Sequence, residues 1–133
     1  MIARAEQLLQ RGSSTTGSLL PAIFKIFSQW RLTGAQQMTL LGLGNEKTLY
    51  NWKNQPEKAK LTRDVLERAS YILGIYKSLQ ILLPDQALAD QWLSTPNGNP
   101  LFNGTAPLDR LLAGQVVDLA VVRNFLDAER GGW

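Results

Sequence analysis

The chain has 133 residues, of which 44% are hydrophobic, and a formal net charge of +3. This length suits one domain or two small ones packed together. The sequence contains no cysteine and no histidine, which excludes disulfides, thiolate metal sites and catalytic triads built on either residue. No apolar run approaches the roughly 18 residues of a membrane span, and the N-terminus lacks the pattern of a signal peptide, so we expect a cytoplasmic protein.

Charge is divided unevenly along the chain. Residues 1–83 hold 11 Lys and Arg against 5 Asp and Glu, a net charge of +6, whereas residues 84–133 hold 3 against 6, a net charge of −3. A basic segment suits a polyanion such as DNA, because each phosphate contact releases condensed counterions. An unevenly charged, solvated surface would give the same imbalance.

The N-terminal part is predicted to be helical on both sides of a linker. A short helix over 2–10 precedes a polar stretch over 11–18, whose Gly, Ser and Thr residues favour a flexible linker. Ser18 is expected to cap a helix over 19–30, with Pro21 in the first turn, where its missing N–H costs little.

Two short helices follow, joined by a turn that contains glycine. Thr33 is expected to open the first as part of a capping box, and Gly42 or Gly44 can end it. Asn45 is expected to cap the second, which runs over 46–54.

A long helix capped by Thr62 is predicted over 63–83, and the Pro84-Asp85 pair after it marks a domain boundary. Further helices are expected over 86–93, 108–113 and 118–129, with an ordered loop over 94–107. No segment alternates as a strand does. The predicted fold class is therefore all-α.

Two short helices around a tight turn, in a basic helical domain, predict a helix-turn-helix. Its second helix must enter the major groove of DNA, so its outer face should carry amides, hydroxyls and cations. Leu49 and Trp52 are expected to point inward. The candidate DNA-contacting residues are Lys47, Thr48, Tyr50, Asn51 and Lys53. An ordinary solvated helix that carries two lysines is the alternative.

Two parts of the sequence resemble one antitoxin family. The first part resembles the sense helix, turn and recognition helix of the Xre-type helix-turn-helix. It consists of Leu32-Thr33, Leu41-Gly42-Leu43-Gly44 and the stretch TLYNWKN over 48–54. The spacing from Gly42 to Trp52 is about one residue longer than in the usual pattern of that family. The second part resembles the C-terminal toxin-binding domain of Xre/MbcA/ParS-type antitoxins. It consists of WLSTPN over 92–97, NPLFNG over 99–104, and PLD, LL and Gly within 107–114.

The resemblance implies an N-terminal segment and linker over 1–18, a helix-turn-helix domain over 19–83, and a small helical toxin-binding domain over 84–133. It implies a RES-domain toxin, which depletes cellular NAD, as the partner. It further implies that the C-terminal segment lies at or over the NAD cleft of that toxin. It also implies that the antitoxin binds operator DNA and represses its own promoter.

The residues themselves support a binding role for the C-terminal segment. Trp133 follows two glycines that have no side chains to pack against, and a large aromatic on a short arm suits a pocket of a partner. Arg130 offers a planar set of donors for a carboxylate or phosphate. The candidate toxin-binding residues are Arg123, Leu126, Arg130 and Trp133. Alternatively, Trp133 folds back on its own core and Arg123 is solvated.

No catalytic, cofactor or metal site is predicted, because the carboxylates are spread over separate elements and no phosphate-binding loop is present. A two-fold operator predicts a homodimer, with a higher-order complex once toxin binds. The stretch over 71–83 is more apolar than one buried stripe needs, so Ile75 and Leu79 are the candidate dimer contacts. The alternatives are a stand-alone regulator whose C-terminal half only dimerises, and a structural adaptor without DNA binding.

Overall fold

Helix follows helix along the chain. The computed structural model describes residues 13–131, and the side chains of residues 18–131. Within that range there are seven α-helices, two 3-10 turns and no strand, which confirms the all-α prediction. The α-helices are α1 (Ser13–Gln29), α2 (Gly34–Leu41), α3 (Glu46–Asn54), α4 (Arg63–Leu82), α5 (Gln86–Gln91), α6 (Pro107–Leu111) and α7 (Val116–Glu129). The 3-10 turns are Pro56–Lys58 and Trp92–Ser94. No helix in this range is both long and apolar enough to cross a membrane.

Helix α1 begins earlier than the sequence predicts. Residues 13–18 belong to the helix, so the expected linker is wrong for them, and Pro21 lies inside the helix instead of in its first turn. The physical reason is that extending a formed helix is far easier than nucleating one, while Ser and Thr cost at most about 0.7 kcal/mol each relative to Ala. The predicted helix over 2–10, and the first two linker positions, lie outside the described residues.

The predicted helix starts at Thr33, Asn45 and Thr62 are confirmed. Each of these side chains accepts a hydrogen bond from a backbone N–H in the first turn of its helix, at 3.2, 2.7 and 3.2 Å respectively. Such caps satisfy N–H groups that the helix itself leaves unpaired. The last helix starts at Val116, two residues before the predicted start, and Asp118 in its first turn accepts a hydrogen bond from the Gln115 N–H at 3.0 Å.

Helix α4 supplies the core of both halves of the chain. Helix α7 packs along it, and α1, α2 and α5 also pack against it. The buried side chains of α4 include Val65, Leu66, Ile72, Ile75 and Leu79, and those of α7 are Leu119, Val122 and Leu126 together with Asp118. Because these side chains belong to one continuous cluster, the two halves share a single hydrophobic core.

An aromatic cluster holds the long loop between α5 and α6 against α7. The Trp92 and Phe125 rings stack at 6.3 Å between centroids, and the Phe102 ring meets both edge-on, at 5.9 and 5.3 Å. Phe102 is buried. Edge-on and offset ring pairs of this kind add stability beyond their buried area, so this loop is fixed by its aromatic residue.

Candidate nucleic-acid and partner interfaces

The helix-turn-helix is formed by α2, a short turn and α3. Gly42 ends α2 in the left-handed conformation, with φ at 71°, a backbone shape that glycine adopts without strain. The next residue, Leu43, donates its N–H to the Met38 carbonyl at 2.8 Å. Leu40, Leu41 and Leu49 are buried where the two helices meet. The turn therefore sets α3 at a fixed angle to α2.

The outer face of α3 carries polar side chains, as predicted. Leu49 is buried and Trp52 is half-buried. Lys47 and Asn51 are exposed, Tyr50 is 66% exposed, and Thr48 is half-buried. Four of the five predicted DNA-contacting residues are thus on the solvent side of the helix or at its edge.

Lys53 is placed differently from the other four. It is exposed, but its ammonium lies 5.4 Å from the centroid of the Phe24 ring of α1. A cation over an aromatic face is held there by the ring quadrupole. Lys53 is therefore directed toward α1, to one side of the face that carries Lys47 and Asn51.

A polar groove of about 400 Å³ runs beside α3 and brings in two residues that the sequence reasoning missed. It is lined by Thr48, Asn51, Trp52, Gln55 and Lys58. Thr48, Asn51 and Gln55 share one side of the helix because residues three and four apart are neighbours. Gln55 directly follows the last residue of α3, and its spacing of four from Asn51 is visible in the sequence. Gln55 adds an amide, and Lys58 adds a cation, to the candidate DNA-reading surface.

Arg123 is engaged within the chain instead of facing outward. Its side chain is only 12% exposed, and its Nε donates to Asp127 at 2.8 Å. Asp127 also accepts from the Ser78 hydroxyl at 3.1 Å. A Cβ at Gly74 would lie 1.8 Å from the Arg123 Nη1, so the guanidinium lies directly over that glycine. An i,i+4 ion pair and the space above Gly74 hold Arg123 against α4, and its contact with toxin stays a prediction.

Tyr71 lies in the same part of α4, and its surroundings disfavour the phenolate. Burial raises the pKa of Tyr71 above its ordinary value, and the negative charge of Glu67 raises it further, while Arg123 acts in the opposite direction. Burial has the largest effect because a charged phenolate loses hydration inside the protein.

The other three candidate toxin-binding residues are separated by the structure. Leu126 is 1% exposed and belongs to the core, so it offers almost no surface to a partner. Arg130 lies at the end of α7 with its side chain 21% exposed and its Nε 3.7 Å from Asp127. Trp133 lies outside the described residues. Among the described residues of this set, Arg130 has the most exposed side chain.

Ile75 and Leu79 are core residues of this chain. Both are fully buried, which corrects the prediction that they contact a second copy. The apolar excess over residues 71–83 has a different cause: α4 must bury faces toward α1 and α2 and also toward α5 and α7. The homodimer itself stays a prediction.

Arg68 joins the helix-turn-helix to the C-terminal half. It is 8% exposed. Its guanidinium donates to Asp64 at 2.9 Å, to the Thr39 carbonyl of α2 at 3.3 Å, and to the Gly114 carbonyl before α7 at 3.1 Å. A planar guanidinium can serve several acceptors at once. One buried side chain thus ties together the last turn of α2, the start of α4 and the loop before α7.

Comparison with known families matches both halves of the chain. The antitoxin Xre-like helix-turn-helix domain matches residues 9–74, and the antitoxin Xre/MbcA/ParS C-terminal toxin-binding domain matches residues 78–132. The chain belongs to the Xre/MbcA/ParS antitoxin family. This antitoxin is also similar to the uncharacterized protein y4oB of Sinorhizobium fredii (strain NBRC 101917 / NGR234), at 42% identity over 113 residues, which cover 85% of this chain and 84% of that protein.

The family membership gives each half of the antitoxin its role. The helix-turn-helix half binds DNA, and the C-terminal half binds a toxin. The two family matches meet between residues 74 and 78, inside α4, whereas the sequence places the boundary at Pro84. Because α4 runs from Arg63 to Leu82, the two matched ranges divide within a helix, whereas Pro84 follows its end.

Proposed function

We propose that this antitoxin neutralises a RES-domain toxin that depletes NAD, and that it represses its own operon. In this proposal the C-terminal segment covers the NAD cleft of the toxin, the chain itself catalyses no reaction, and the pair acts in the cytoplasm. Two antitoxin copies bind a two-fold operator, and toxin joins them in a larger complex.

The observation that carries the proposal is that one chain joins a DNA-reading helix to a toxin-binding domain through a single helix. The outer face of α3 offers Lys47, Tyr50 and Asn51 to a groove of DNA. The toxin-binding domain matches residues 78–132, in the C-terminal half of the chain. A protein that binds both an operator and a toxin is suited to regulate the supply of that toxin.

The C-terminal segment supports the neutralisation step. Arg130 makes a long 3.7 Å contact with Asp127, and its side chain is 21% exposed. A partly exposed guanidinium can offer donors to a carboxylate or phosphate at the toxin surface. Trp133, three residues later, is the large aromatic that a pocket of the partner would take.

Co-expression with the RES-domain toxin tests the proposal. Cells that produce toxin with the full chain should grow and keep their NAD. Cells that produce toxin with a chain ending at Glu129 should stop growing and lose NAD, since Arg130 and Trp133 are then missing. The truncation keeps the whole of α7, so circular dichroism should show an unchanged helix content.

Two other results would change the conclusion. If the truncated chain protects as well as the full one, the C-terminal segment is not the inhibitory element. If neither chain protects, the proposed toxin partner is incorrect, and a stand-alone DNA-binding regulator becomes the better description of this protein.

A further inference from the structure

An open groove of about 370 Å³ lies in the toxin-binding domain. Its apolar floor is formed by Leu79, Leu82, Leu83, Trp92, Phe125 and Leu126, and its rim includes Asn97, Asn99 and Glu129. All of these residues fall within the family match over 78–132. The described lining of the groove therefore comes from the domain that the family names for toxin binding.

Large apolar side chains reach the surface in this groove without being covered. Leu82, Leu83, Trp92 and Phe125 are each only half-buried. Apolar side chains that converge on a concave, polar-rimmed surface are typical of a binding site for another protein. One large apolar side chain of a partner, inserted into the groove, would shield these four side chains from water.

The groove is rigid before any partner arrives. Its wall includes the stacked rings of Trp92 and Phe125. Its rim is held by backbone hydrogen bonds of Asn97, whose N–H donates to the Thr105 carbonyl and whose carbonyl accepts from Gly104, both at 3.0 Å. A preformed site loses little conformational freedom on binding, so more of the contact energy appears as affinity.

The rim specifies the chemistry of the occupant. The side-chain oxygens of Asn97 and Asn99 already accept backbone N–H groups at 2.9 Å, so these amides have mainly N–H donors left to offer, which suit the carbonyls of a peptide. Among the described residues that line the groove, Glu129 is the charged one, and no Lys or Arg of that part of the chain is seen to pair with it.

Glu129 is exposed at an unfavourable position for an acid. It is the last residue of α7, and a negative charge at the C-terminal end of a helix is disfavoured by the helix dipole. An exposed acid in that position is better explained by a cation that a partner supplies. The net charge of −3 over residues 84–133 favours a basic partner surface in the same way.

We propose that this groove is the docking site for a toxin segment that inserts one large apolar side chain beside Trp92, Phe125 and Leu83, and that sets a Lys or Arg against Glu129. The inference rests on the proposed function and deepens it. The groove supplies affinity for the toxin, and the C-terminal segment supplies inhibition, so the two properties are separable by mutation.

The experiment measures the Kd of the purified full-length antitoxin for an inactive point variant of the RES-domain toxin by calorimetry. Leu83→Arg places a cation in the groove, and Ile81→Arg, at a 53% exposed position on the same helix outside the groove, is its control. Glu129→Arg reverses the charge at the rim, and Asp109→Arg, at an exposed position on α6, is its control.

Both groove variants should weaken binding at least about tenfold, the loss expected of an interface hot spot, and both controls should bind as wild type. A chain ending at Glu129 should still bind the toxin but fail to protect NAD. If Leu83→Arg unfolds the protein, Glu129→Arg decides the question, because its site is exposed.

Each contrary result has a distinct meaning. Wild-type affinity in Glu129→Arg overturns the groove assignment and leaves the proposed function standing. Absence of toxin binding by the wild-type chain overturns both. If the groove variants change the mass of the antitoxin alone in light scattering, a second copy of the chain occupies the groove, and toxin docking there is excluded.

Discussion

At Gly74, α4 carries no side chain, and the guanidinium of Arg123 fills that space. A Cβ there would come within 1.8 Å of Nη1 and 2.7 Å of Cδ of Arg123, so Gly74→Ala must displace the arginine from Asp127. Helix propensity alone favours Ala by about 1 kcal/mol, whereas overpacking costs about 1–3 kcal/mol. We expect a net loss of stability in urea unfolding.

Two control variants accompany the Gly74→Ala prediction. Gly98→Ala should have little effect, because nothing lies within 4 Å of the added Cβ. In the Arg123→Ala background, Gly74→Ala should no longer destabilise the protein, since the clash is gone and the propensity gain remains. A stabilising Gly74→Ala in the otherwise wild-type chain would show that Arg123 swings away at no cost.

Tyr71 is expected to make the fold sensitive to alkaline pH. Burial, and then Glu67, raise its folded pKa above the ordinary 10.0, so the folded state favours the neutral phenol. Stability that is present below pH 10 is therefore lost as the pH rises through the raised folded pKa. Tyr71→Phe should reduce the fall in Tm between about pH 8 and about pH 11. Tyr50→Phe, at a 66% exposed position, should leave that fall unchanged.

The basic side chains on α3 and in the 3-10 turn after it are expected to contribute unequally to DNA binding. Lys47 is exposed on the outer face and Lys58 lines the polar groove, whereas the ammonium of Lys53 lies over the Phe24 ring. Lys47→Ala and Lys58→Ala should each reduce the salt dependence of operator binding by about one unit of log–log slope. Lys53→Ala should change the slope less.

The measurement is a fluorescence anisotropy titration of operator DNA at several salt concentrations. Lys77→Ala is a suitable control, because Lys77 is exposed on α4, away from the helix-turn-helix. An equal loss of slope in Lys53→Ala would mean that DNA draws this lysine away from Phe24. An unchanged slope in Lys47→Ala would mean that another face of α3 meets the phosphates.

Most of the elements could be predicted from the sequence because their signals are local. Caps at Thr33, Asn45 and Thr62 depend on one side chain and a backbone N–H two or three residues away. The start of α1 could not be predicted in the same way. Its polar first turns are helical because the helix is stabilised by packing farther along, where Leu20 and Ile23 are fully buried.

The candidate sites were predicted less completely, because burial depends on residues far apart in the chain. The polar face of α3 follows from helical spacing within nine residues. In contrast, the burial of Leu126 and Ile75 requires knowing that α7 packs along α4. The side chain of Arg123 lies directly against α4 because Gly74, 49 positions earlier, has no side chain to occupy that space.

Across the whole molecule, α4 makes the DNA-binding and toxin-binding halves one cooperative unit. The boundary between the two family matches cuts this helix, so a fragment that begins at residue 78 lacks Ile72 and Ile75, two buried residues of the shared core. We expect that fragment to remain unfolded by circular dichroism, and the full chain to melt in a single transition. A folded fragment would show that α7 needs only the last turn of α4.

Arg68 also links the C-terminal half of the chain to the helix-turn-helix. Its guanidinium serves carbonyls of Thr39 and Gly114 together, and a hydrogen bond from a charged donor contributes about 1.5–3 kcal/mol. Arg68→Met keeps the aliphatic stem but removes both of these bonds, together with the bond to Asp64. It should therefore lower stability by about 3–6 kcal/mol and also weaken operator binding, because α2 is no longer tied to the loop before α7.

Arg110→Met separates these two effects. Arg110 pairs with the buried carboxylate of Asp118 at 2.7 Å, and both residues lie in the toxin-binding half. Its loss should lower the Tm and leave operator affinity unchanged in the folded protein. If Arg68→Met lowers the Tm but leaves operator affinity at the wild-type value well below the melting range, α4 alone holds the helix-turn-helix in place, and the guanidinium contributes stability without positioning.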